Sequence, residues 1–67
     1  MMIDLSQVAI RNRILRELAT RNQVLCRPHR NGECHVIDGD RVIGRWPNLA
    51  ALAQELRLIK SWERAAA

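Results

Sequence analysis

"QVLCRPHRNGECHVIDGDRVIGRW", residues 23–46, holds the part of the chain from which the fold can be read. Three short segments within it, "QVLCRPHR", "ECHVID" and "RVIGRW", are rich in Val, Ile, Cys and Arg and are joined by "NG" and "DGD". Asn31-Gly32 is a two-residue hairpin signal, because both central positions of a type I′ turn need positive φ. Asp38-Gly39 is a second signal of the same kind. The stretch predicts a three-stranded antiparallel meander. Pro28 cannot donate to a ladder, so the first strand is expected at an edge or irregular there.

Helical patterns flank this stretch. In "DLSQVAIRNRILRELATR" Asp4 reads as the N-cap, Gln7 as its capping-box partner, and Ile3 with Val8 as a hydrophobic staple. Ile10, Ile14 and Leu18 make one row, with Leu5, Val8 and Leu15 on a neighbouring row, so the apolar face is wider than one packed surface needs. In "PNLAALAQELRLIKSWERAAA" Asn48 reads as the cap, and Leu49, Leu52, Leu56 and Ile59 form a 3-4-3 seam. The fold class is α+β in the order α-β-β-β-α: a three-stranded antiparallel sheet with two helices packed on one face, as a single small domain over residues 1–67.

A domain of 67 residues buries only about 60% of the surface its unfolded chain exposes, so a disulfide, a metal or a partner subunit is a common supplement. The hydrophobic fraction of 48% argues against disorder. No apolar run approaches the roughly 20 residues of a membrane span. The opening "MMIDLSQVAI" lacks the basic and apolar regions of a signal peptide. A cytoplasmic location with reduced thiols is expected.

"CRPHRNGECH" concentrates both cysteines and both histidines, Cys26, His29, Cys34 and His35. Zinc needs four tetrahedral ligands. Strand alternation sends Cys34 and His35 to opposite faces. With Asn31-Gly32 as a two-residue turn, His29 faces Cys34 and Cys26 faces Ile37, which also parts Cys26 from Cys34. Neither a metal site nor a disulfide is expected. A Cys-His nucleophile needs a third, orienting group, and none is apparent. No catalytic, cofactor or metal residues are assigned, and the chain is read as a non-enzyme.

The net charge is +4, and ten of the eleven basic residues are Arg, the other being Lys60. Arginine forks bind phosphate and carboxylate bidentately. Arg11, Arg13, Arg27 and Arg30 are the candidates for nucleic-acid contact. They are spread over several elements, and the acidic Glu17, Glu33, Asp38 and Asp40 dilute their field.

The order α-β-β-β-α resembles that of the double-stranded-RNA-binding domain and of the small toxin ribonucleases built on it. That RNA-binding family opens its last helix with a Lys-Lys-x-x-Ala cluster, where this chain has "PNLAALAQEL". The ribonucleases place a catalytic His in a Gly-Ser-His context, where this chain has "GECHVI" around His35. Neither function is carried over.

Trp46 is expected over the end of the sheet. Trp62 lies off the Leu49–Ile59 seam, among Lys60, Glu63 and Arg64. Trp and Arg are enriched at interface hot spots, so Trp62, Arg57 and Arg64 are candidate partner-binding residues. Ile10, Ile14 and Leu18 join them through the wide face of the first helix, which suggests a homodimer. The expected function is a small non-enzymatic protein-binding module, an adaptor or inhibitor acting on another protein. The alternative is a nucleic-acid-binding regulator that contacts phosphates through its arginines.

Overall fold

The computed structural model describes residues 1–27 and 32–66. The chain runs through β1 (Ile3–Leu5), α1 (Gln7–Thr20), β2 (Val24–Cys26), β3 (Cys34–Asp38), β4 (Arg41–Trp46), α2 (Leu49–Glu55) and β5 (Glu63–Ala65). The fold is α+β, with the expected antiparallel sheet in the order β2-β3-β4. The added feature is a parallel pair, β1 with β5.

The hydrophobic pattern sets the sheet register. Leu25 pairs with Val36, Val24 with Ile37 and Cys26 with His35. This corrects the tight-turn register, in which Cys26 faces Ile37. That register would set Arg27 opposite Val36, a position buried against the helices. β2 ends at Cys26 and β3 begins at Cys34. The expected Asn31-Gly32 turn and the contact of His29 with Cys34 involve residues outside those described.

At the other hairpin Asp38 pairs with Arg41. The two-residue loop is therefore Gly39-Asp40, one position later than expected, with Gly39 at φ +66. Gly at the first central position suits a type II′ turn.

The first helix begins later than expected. Ser6 is its N-cap, and Ser6 Oγ accepts from the Ala9 N–H at 3.1 Å. Asp4 lies instead in β1. The staple moves with the cap: Leu5 and Ile10, one residue before the cap and four after it, are both buried. Ile3 and Val8 are exposed. The second helix starts as expected, with Asn48 Oδ1 accepting from the Ala51 N–H at 2.8 Å.

That helix stops at Glu55 rather than continuing to the end of the chain. Arg57 takes φ +59. The Arg57 N–H donates to Gln54 O at 3.0 Å and the Leu58 N–H to Ala53 O at 2.9 Å. This is a Schellman ending, which satisfies carbonyls that the last turn leaves orphaned. It also turns Leu58 and Ile59 back against the core. α1 ends the same way through Asn22 at φ +57, with the Gln23 N–H donating to Leu18 O at 2.9 Å.

The core joins Ile10, Ile14 and Leu18 of α1 with Leu49, Leu52 and Ala53 of α2 and Cys34 and Val36 of β3. Both helices thus cover one face of the sheet. Arg13 locks α1 to the returning chain: its two terminal nitrogens donate to Glu63 Oε1 and Oε2 at 2.7 and 2.8 Å, and Nη1 also donates to Leu58 O. No helix of the described residues is long and apolar enough to cross a membrane.

Candidate functional site

Two surfaces combine exposed apolar groups with arginine. The first lies on the parallel pair. The Ile3 N–H donates to Trp62 O at 2.8 Å, which joins their backbones where the pair begins. Trp62 remains 54% exposed and Ile3 48%. Arg64 and Asp4, paired across the strands, form an exposed ion pair.

Arg57 does not belong to that surface. It lines a cleft of about 440 Å³ between the C-terminal ends of both helices and the sheet. Leu18, Val36 and Leu52 form its floor, Ile43, Trp46 and Leu56 its walls, and Arg21, Gln23, Arg57 and Glu55 its polar groups. Three local devices shape it. A register shift between Val36 and Ile37 leaves Ile43 as the extra residue of β4, and a bulge of this kind re-aims a side chain.

Gly44 is the second device. Residues two apart on a strand share a face, and a Cβ on Gly44 would overlap the Trp46 ring. The bare glycine lets the indole lie across the sheet, where Trp46 Nε1 donates to the Glu55 carboxylate. The third device is the left-handed backbone at Arg57. Arg57 makes no ion pair among the described residues, while Arg21 pairs with Glu17 at 3.1 Å.

Ile10, Ile14 and Leu18 are not surface residues. All three are buried within the single chain, which corrects their assignment to a partner surface: covering the sheet takes the whole row. The outer side of α1 keeps a smaller apolar stripe, with Val8 and Leu15 exposed. Of the arginines considered for nucleic acid, Arg13 is held by Glu63. Arg11 is exposed on α1, Arg27 follows β2, and Arg30 is outside the described residues.

Among the described residues of the Cys/His stretch, Cys34 lies on one face and the Cys26–His35 pair on the other. Cys34 is buried, and its thiol donates to Asn48 O at 3.6 Å. Burial pushes the thiol pKa up; Glu33 adds to the shift and Arg27 opposes it. Cys26 and His35 are opposed on the other face, with His35 Nε2 2.9 Å from Glu33 Oε1. Both cysteines are free. Among the described residues no group of three or more His, Cys, Asp or Glu is arranged to hold a metal ion.

Sequence reasoning missed the cleft. Gly44 two residues before Trp46 was its one readable signal, since an indole on a strand gains room from a neighbour without a side chain. No family model matches the chain, and no curated protein or solved structure matches it significantly.

Proposed function

We propose that this chain is a non-enzymatic protein-binding module, an adaptor or inhibitor that acts on a partner protein in the cytoplasm. The observation that carries the reading is Trp62, 54% exposed, with the exposed Ile3 bonded to it through the backbone. An indole is a large apolar surface with one polar group, and an interface gains most from burying such a residue at its centre. Arg64 lies one strand position beyond Glu63, where it can frame the contact with a charged rim. Homodimer formation is part of the proposal, through the uncovered Val8 and Leu15 stripe of α1. Two free thiols are compatible with a reducing compartment.

The test is capture from a lysate of the native cell by the wild-type chain and by Trp62→Ala, each with and without nuclease. One stoichiometric protein that survives nuclease and is lost with Trp62→Ala is the expected result. Recovery of nucleic acid alone, with binding that weakens steeply from low to moderate salt, would replace this reading by the regulator alternative. Light scattering that returns a monomer mass at micromolar concentration would remove the dimer.

A further inference from the structure

We infer that the cleft between the helix ends and β4 is a second binding site, and that it takes a small monocarboxylate with an aliphatic or aromatic body. Its volume of about 440 Å³ falls in the range of small-molecule sites, which are mainly apolar with a few placed polar groups. Ile43, Trp46 and Leu56 supply apolar walls, and Ile43 is 52% exposed. Arg21 and Arg57 supply two guanidinium groups. The one carboxylate in the lining, Glu55, already accepts from the Trp46 indole. The neutral indole leaves Glu55 its charge, so the two guanidinium groups exceed the lining's carboxylate by one positive charge, and a guanidinium binds a carboxylate through two parallel hydrogen bonds.

Arg57 adds an argument of its own. Both helices end in the same Schellman motif, whose left-handed position favours Gly or Asn. α1 places Asn22 there and α2 places Arg57. A side chain is thus held at a position where glycine would cost less, and it projects into the lining of the cleft. Arg21 can turn from Glu17 to a ligand, because an exposed i,i+4 pair contributes little. This site is separate from Trp62, so its fate is independent of the partner-binding proposal.

The experiment is a heteronuclear NMR titration of the full chain with 4-methylpentanoate and with its neutral amide. The Trp46 indole N–H and the Ile43 methyls are expected to shift saturably at millimolar carboxylate, and the amide to bind at least tenfold more weakly. Arg57→Gly suits the backbone at that position, so it keeps the fold and lowers carboxylate affinity about tenfold. Arg16→Gln, on α1 outside the cleft lining, leaves the affinity unchanged. Absence of saturable shifts, equal affinity for acid and amide, or an unaltered affinity in Arg57→Gly would each overturn the inference.

Discussion

Glu63 accepts both arms of the Arg13 guanidinium and also the Lys60 N–H at 2.9 Å. These hydrogen bonds to its charged form, the Arg13 fork first, hold its pKa at about 2, against an ordinary 4.5. A carboxylate whose pKa is depressed on folding contributes stability that is complete above the unfolded value and is lost as pH falls through the folded one. The wild-type midpoint of thermal unfolding should therefore drop as pH falls from about 4.5 to about 2. Glu63→Gln should be less stable at neutral pH and flatter over that window; identical acid limbs would refute the role. Gly44 carries the opposite kind of constraint, one of space. Gly44→Ala gains about 0.4–1 kcal/mol by restricting the unfolded chain. Overpacking against the Trp46 ring costs about 1–3 kcal/mol. The net should be a loss, about 1 kcal/mol at the middle of both ranges, in a denaturant titration, with the indole resonance displaced.

Elements whose signal is periodic were legible; those whose signal is a single backbone conformation were not. α1 could be read because Ile10, Ile14 and Leu18 repeat at helical spacing, and the meander because turn residues separate β-branched runs. The capping error at Asp4 arose because Asp and Ser are nearly equal N-caps, and only the pairing of β1 with β5 decides between them. The overlong second helix has a related cause. "RLIKSW" continues the apolar spacing without Gly or Pro, and the stop is a left-handed Arg57. A non-glycine residue in that conformation costs about 1 kcal/mol or more. Arg57→Gly should accordingly raise stability by about 1 kcal/mol, measured as a higher denaturant midpoint at unchanged slope. A lower midpoint would mean that the arginine side chain stabilises the fold. The same lost side chain weakens the proposed carboxylate site, a trade of stability against binding that many functional positions show.

At the scale of the whole molecule the parallel pair ties together segments some 60 positions apart, and the sequence carries almost no trace of it. "IDL" and "ERA" are three residues each, and the Asp4–Arg64 contact spans 60 positions. A pairing so distant closes a long loop and cannot be read from local propensity. The candidate surface around Trp62 and Ile3 was half legible for the same reason: Trp62 stands out by composition, but its neighbour comes from the far end of the chain. Because β1 and β5 run in the same direction, tension applied ahead of Ile3 and after Ala65 loads them lengthwise. The bonds from the Ile3 N–H to Trp62 O and from the Ala66 N–H to Leu5 O then share the force and break together, rather than one after another as in an unzipping hairpin. Single-molecule stretching from the two ends should meet one distinct rupture. Ile3→Pro, which lacks the donor, should lower its force, and an unchanged force would refute the idea. The pair makes this small domain a mechanical clasp, resistant to being drawn out end to end.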